Sequence, residues 1–209
     1  MGLILDALFP PRCGLCGVAP RAALCPECAK ELIARDPIFE TTEFGTREAC
    51  AFPYSGRPGQ LVRRLKYNRV TALARPMARE LAEFTDRLRL PETTVFLPVP
   101  IHYWRLCERG FNQSELLCSE LPRVETRWLK RTRPTKQQAG LTREGRLKNL
   151  QGAFRASENV RGQAICLIDD VCTTGSTLAH CEEALRAAGA AQVIAICATG
   201  WPEATDPPA

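Results

Sequence analysis

The chain has 209 residues, 45% of them hydrophobic and 24% charged, the balance of a globular protein with one domain of ordinary size and a small appendage. No stretch approaches the roughly 20 consecutive apolar residues of a membrane span, and the apolar start, Met1 to Phe9, carries Asp6 and no basic leader, which argues against a cleaved export signal. The net charge of +5 is unevenly spread: between Arg127 and Lys148 eight Lys or Arg stand against Glu144 alone, a local +7 that leaves the remainder near −2. Such a segment asks for an anionic partner, although a run of like charge is more often a solvated surface.

Met1–Phe9 is expected to pack as a short helix against the body of the protein. The eleven cysteines that follow fall into two kinds. Cys13-x-x-Cys16 and Cys25-x-x-Cys28 are paired at the spacing of a zinc knuckle, where four thiolates surround one Zn²⁺ and Gly14 and Gly17 permit the tight turns. So small and polar a segment has no adequate core of its own, so the metal would supply its folding energy and play a structural role. A redox Cys-x-x-Cys pair is the rival reading. The other seven cysteines are scattered singly through apolar surroundings, as small packing residues in a reducing cytoplasm. Cys172 stands apart as a candidate for oxidation.

Asp36–Arg47 reads as a linker, so the expected organisation is a zinc module over 1–45 and a second domain over 46–209. Beyond it, Ala51–Tyr54 reads as a strand, and Gln60–Tyr67 and Ala72–Arg87 as helices, the second with Leu73, Met77, Leu81 and Phe84 at helical spacing. Thr94–Val99 is a strand closing on a proline-bounded turn, and Gln113–Leu121 a helix. Trp128–Gln151 is polar, basic and weakly periodic, as long functional loops are. Ala164–Ile168 and Gln192–Ala198 are strands buried on both faces, with a helix over Thr177–Ala188 between them that Gly189 ends. The tail from Pro202 is expected to fray. The alternation predicts an α/β fold, a mostly parallel sheet flanked by helices.

The most informative residues are Ile165-Cys-Leu-Ile-Asp-Asp-Val-Cys-Thr-Thr-Gly-Ser-Thr177. A buried strand delivers Asp169 and Asp170 at its carboxyl end, where ligands of open α/β sheets bind. The turn Thr173-Thr174-Gly175-Ser176-Thr177 then leads into a helix whose start suits a phosphate. Gly175 permits close backbone approach, and the hydroxyls can donate. A phosphate cradle beside paired acids implies a sugar phosphate, with the carboxylates accepting from vicinal hydroxyls and helping to hold Mg²⁺. Taken singly, each element is also explained by a turn and a plain helix cap.

This segment resembles the signature of type I phosphoribosyltransferases. That resemblance implies a phosphoribosyl pyrophosphate site over Asp169, Asp170, Val171, Cys172, Thr173, Thr174, Gly175, Ser176 and Thr177, in which the acids meet the ribose hydroxyls and the loop holds the 5′-phosphate. Three further segments, Leu65-Lys-Tyr67, Pro98-Val-Pro-Ile-His102 running to Arg109-Gly-Phe-Asn-Gln-Ser114, and Thr135-Lys-Gln-Gln-Ala-Gly-Leu141 with Arg146 and Asn149, complete a pattern similar to the ComF family over nearly the whole chain. The family implies a role in DNA uptake or utilisation.

In the wider fold family a loop at the position of Pro98–Tyr103 holds pyrophosphate through backbone N–H groups. Pro98 and Pro100 have none, which leaves Val99, Ile101, His102 and Tyr103. His180, one turn into the last helix, is expected to be structural. Arg109, Gly110, Asn112 and Gln113 either line a pocket or cap the next helix. The basic segment matches the position of a mobile lid, with Arg131, Arg133, Lys136 and Arg143 its leading candidates. Two functions stay open: transfer of the phosphoribosyl group with release of pyrophosphate, or a non-catalytic adaptor that binds the ligand together with single-stranded DNA or a competence helicase. The acceptor, turnover and oligomeric state are not legible.

Overall fold

A computed structural model describes residues 12–18, 22–42, 44–133 and 150–200. Met1–Phe9, Lys136, Arg143 and the tail from Pro202 lie outside them. The elements are α1 (Pro26–Ala29), β1 (Glu40–Thr41), β2 (Arg47–Pro53), α2 (Gly56–Asn68), α3 (Ala74–Arg87), β3 (Val95–Pro98), α4 (Tyr103–Arg109), α5 (Gln113–Leu117), β4 (Leu129–Arg131), β5 (Phe154–Ala156), β6 (Ala164–Cys172), α6 (Ser176–Ala187) and β7 (Gln192–Gly200).

The main sheet has the order β1-β2-β7-β6-β3. Strands β2, β7, β6 and β3 run parallel, and β1 is an antiparallel edge. The expected α/β architecture is therefore present. Strand alternation explains its two apolar layers. Cys166 and Ile168 of β6 and Ile194, Ile196 and Ala198 of β7 pack toward α2, α3 and α5. Ile165 and Leu167, with Val193, Ala195 and Cys197, pack toward α6 and the β4–β5 hairpin.

Several boundaries move, each for a local reason. Helix α2 begins at Gly56, four residues before the expected start, because Gly and Pro58 are tolerated in a first helical turn. It ends at Arg69 in the left-handed region, φ 58°. Helix α5 stops at Leu117, well short of Leu121. A seven-residue helix, α4, follows the turn at Pro98–Tyr103 where no element is predicted, and it buries no residue, so no apolar periodicity announces it. The hairpin β4–β5 is also unannounced, its strands being three residues each.

The segment Asp36–Arg47 is no simple linker: Glu40 and Thr41 pair with Glu48 and Arg47. Nor does the cysteine segment stand apart. Cys13, Leu15, Leu24, Cys25 and Cys28 belong to the same apolar cluster as Leu61, Leu73 and Met77. A Cβ added to Gly14 would lie 2.6 Å from Leu73 Cδ2. Arg64 of α2 donates to the Gly14 carbonyl at 2.8 Å.

Gly59 fixes how α2 approaches the sheet, since a Cβ there would lie 1.6 Å from the Tyr54 carbonyl oxygen, a backbone atom with little freedom to yield. Gly59→Ala is expected to destabilise the fold by about 3 kcal/mol or more, an overpacking cost at the upper end of the usual range, read as a shift of the urea unfolding midpoint.

Candidate functional site

Strand β6 outruns β3: Pro98 pairs with Ile168, and β6 continues to Cys172. The two acids therefore lie inside the strand and not at its last residues, where the sequence places them. On the side that β3 has left, α5 fills in. Asn112 caps this helix, its side chain accepting from Ser114 N at 3.1 Å while donating to the Val99 carbonyl at 3.1 Å. That double bond fixes Gln113 and Ser114 over the extension of β6.

Asp170 is 4% exposed and already engaged. Lys66 Nζ lies 2.9 Å from its Oδ2, Gln113 Nε2 donates to Oδ2 at 3.3 Å, and Thr199 Oγ1 donates to its carbonyl at 3.0 Å. Asp169 is only half-buried. Its Oδ1 accepts from Ser114 Oγ at 3.0 Å and from the Asp170 amide at 2.8 Å. The equal roles expected of the two acids thus divide: Asp170 anchors three elements, and Asp169, less completely buried, is held by Ser114 and the Asp170 amide.

Their ionisation divides in the same way. Burial, with the neighbouring Asp170 charge adding to it, pushes Asp169 up to about 7. Burial also opposes charge on Asp170, but Lys66, Gln113 and Arg109 outweigh it and hold that acid below the ordinary carboxylate range. Lys66 loses stability as a cation through burial and regains more from Asp170, so its pKa is raised.

The loop after β6 has the expected shape. Gly175 adopts φ +77°, and a Cβ there would strike Thr42 at 2.4 Å, so the β1–β2 connection closes on it. Helix α6 starts without a side-chain cap at Gly175. Thr174 Oγ1 is buried with no hydrogen-bond partner among the described residues, an unsatisfied hydroxyl that a ligand oxygen would complete.

Of the turn after β3, Val99 is spent: it is buried, and its amide donates to the Ile168 carbonyl at 2.8 Å. His102 caps α4, Nδ1 accepting from Trp104 N at 3.3 Å. The amides of Ile101, His102 and Tyr103 remain the candidates there. Arg109 is half-buried and within electrostatic reach of Asp170, Gly110 ends α4 and Asn112 caps the next helix, α5. Arg131 packs its guanidinium over the Phe154 ring at 5.4 Å and lies within electrostatic reach of Asp169. Arg133 donates to the Gln151 carbonyl at 2.7 Å. His180 lies 3.2 Å from Glu183.

Lys66 and Ser114 were present in the sequence only as motif letters without a role. The available signal for Lys66 was its place four residues after Val62, on the buried side of α2.

In the cysteine segment the Sγ atoms of Cys13, Cys16, Cys25 and Cys28 all lie within 4.8 Å of one another, with Cys16 and Cys25 at 3.6 Å. Sulfurs around a tetrahedral Zn²⁺ at about 2.3 Å stand about 3.8 Å apart, so the set fits the ion. Arg57 Nη1 lies 2.7 Å from Cys28 Sγ and supplies positive charge beside the thiolates. All eleven cysteines are free thiols. Exposed Cys107 is the exception to the expected packing role.

These features define a phosphoribosyltransferase-like protein that carries a zinc ribbon. Residues 4–39 match the double zinc ribbon domain family and residues 115–209 the phosphoribosyl transferase domain family. The matched ribbon residues contain four cysteines and no histidine, which is one metal site. The chain is 34% identical to DNA utilization protein YhgH of Escherichia coli O6:H1, over 89% of this chain and 91% of that protein. It is also 34% identical to the YhgH protein of Salmonella typhimurium over the same shares. To Competence protein F of Haemophilus influenzae it is 34% identical over 64% of this chain and 63% of that one. The chain belongs to this family of competence and DNA utilisation proteins. No helix among the described residues is long and apolar enough to cross a membrane.

The raised acid has a pH signature. An acid at about 7 in the folded chain, against 3.8 ordinarily, keeps its proton where the unfolded chain has lost it. Folded protein then binds more protons than unfolded, and the stability contributed by this site falls as pH rises through that window. Thermal melts across it should show the wild type losing ground to Asp169→Asn as pH rises, with the difference levelling off above about pH 7.

Proposed function

We propose that the crevice between Asp169 and the 173–177 loop binds phosphoribosyl pyrophosphate, in a protein of DNA uptake or utilisation. The observation that carries this reading is the division between the two acids. Lys66 and Gln113 satisfy Asp170, so the partly exposed Asp169 can accept from a ribose hydroxyl beside the buried, unpartnered Thr174 hydroxyl. Val171 and Cys172 carry the strand from one to the other, and Thr173, Thr174, Ser176, Thr177 and the Gly175 backbone would take the 5′-phosphate at the uncapped helix start. The diphosphate would lie toward Ile101, His102 and Tyr103, with Arg131 and Arg133 near and Lys136 and Arg143 following them in the chain as lid candidates. With Asp170 tied to Lys66, the single carboxylate of Asp169 is too few for a protein cage, so Mg²⁺ would be held mainly by the ligand's oxygens and water. In a transfer reaction the same residues would fix the ribose while cationic groups stabilise departing pyrophosphate.

Calorimetric titration with phosphoribosyl pyrophosphate, with and without Mg²⁺, tests the reading. Binding should strengthen with Mg²⁺, and Asp169→Ala should weaken it about tenfold or more, the value of a hydrogen bond to a charged group. Equal affinity in the variant would exclude this crevice.

A second reading, contact with single-stranded DNA, is favoured by α4 and the end of α2. Tyr67, Tyr103 and Trp104 are 71%, 68% and 70% exposed, and Arg69 ties the two helices by donating to the Glu108 carbonyl. Exposed rings among arginines offer nucleobases a stacking surface. Trp104→Ala should weaken salt-sensitive binding of a fluorescent oligothymidine by about 1–3 kcal/mol. An unchanged isotherm would dismiss this surface.

A further inference from the structure

One carboxyl group of the main sheet is surrounded by thiols where a cation would be expected. Glu48 and Cys50 alternate with Ala49 along β2, so their side chains leave the same face. Cys197 of β7 is the register partner of Cys50, and Cys172 ends β6. Ligand atoms of Glu48, Cys172 and Cys197 all lie within 4.8 Å of one another, with Glu48 Oε2 at 3.9 Å from Cys197 Sγ. Cys50 stands beside Cys197 in this register, on the neighbouring strand. Cys172 and Cys197 are buried, and Glu48 and Cys50 partly so.

Apolar packing accounts for a buried cysteine on its own, because a thiol behaves as a small hydrophobe. It does not account for Glu48. None of the ion pairs among the described residues includes this acid, and the charged side chain that acts on it, Glu40, repels it. A half-buried carboxyl that faces two buried thiols, one of them donating to it, with a third alongside, is a set of groups that become anionic donors once a cation displaces the thiol protons. Sulfur and carboxylate donors drawn from three adjacent strands favour a borderline-soft divalent cation over a hard one such as Mg²⁺.

We propose that Glu48, Cys172 and Cys197 form a second metal site for a thiophilic divalent cation such as Zn²⁺, separate from the four-cysteine ribbon, with water or the neighbouring Cys50 completing the coordination. Binding releases the thiol protons to solvent, and nothing is oxidised or reduced. The site would pin β2, β7 and β6 together directly behind the loop that starts at Thr173. Cys197 is also the register partner of Asp169, so the cation would stiffen the strand that presents that acid.

Metal content of the full-length chain, loaded with Zn²⁺ and desalted, gives the first readout, and cadmium NMR of the Cd²⁺-loaded protein gives the second. About two equivalents per chain are expected, with one resonance of four-sulfur coordination and another displaced by oxygen coordination. Glu48→Gln and Cys197→Ser should each lose one equivalent and the oxygen-shifted resonance. Retention of the four-sulfur resonance would show that the variant is folded and its ribbon intact. A single equivalent and a single resonance in the wild type would overturn the proposal, as would two equivalents untouched by Glu48→Gln. Should a variant fail to fold, the wild-type count decides.

Discussion

Two carboxylates side by side near the end of a buried strand repel each other and lose the water that would stabilise them. In this fold Lys66 meets that constraint, 2.9 Å from Asp170 and itself only 23% exposed. A buried ion pair is weak as a source of net stability, because both charges must be desolvated. Losing one partner, however, leaves the other stranded at a cost of about 3–5 kcal/mol. The pair therefore acts as a geometric condition on the structure. Helix α2 must bring Lys66 to β6, and α5 must bring Gln113 to the same carboxylate. Asp169, which has no ion pair among the described residues, keeps a proton more readily.

Helix α2 carries that condition to the other end of the molecule. Arg57 lies beside the Cys28 sulfur and pairs with Glu31, and Arg64 holds the Gly14 carbonyl. One helix thus touches the zinc ribbon through two arginines and the crevice through Lys66. The ribbon adds its own apolar residues to the layer over the sheet, so the metal that folds it also completes the wall behind α2. This union of ribbon and transferase-like domain gives a physical reason for their occurrence in one chain.

Membership in the competence and DNA utilisation family sets the biological context, and the crevice sets the chemistry within it. The proposed phosphoribosyl ligand and the proposed nucleic acid would need different surfaces, and different residues are available for each. Ser114 donates to Asp169 and small hydroxylated residues follow β6 in the chain, whereas α4 displays rings and arginines. The Thr174 hydroxyl, buried and without a hydrogen-bond partner among the described residues, would serve the first, and the exposed Trp104 the second.

From the sequence alone came the α/β alternation, the four-cysteine ribbon and the acidic strand end running into the Thr173–Thr177 turn, because each is written in local spacing: apolar runs of strand length, Cys-x-x-Cys pairs, and a glycine among small hydroxylated residues. The helix over Tyr103–Arg109 left no such trace, since a helix that buries nothing has no apolar period. Tertiary structure alone decided the unequal fates of Asp169 and Asp170. Nothing in two adjacent identical letters says which will meet a lysine 104 positions away. It likewise decided that Val99 spends its amide on Ile168, that Thr42 closes over Gly175, and that Glu48 faces thiols across three strands. These are relations between residues distant in the chain, and only the packing of helices on a sheet determines which of them meet.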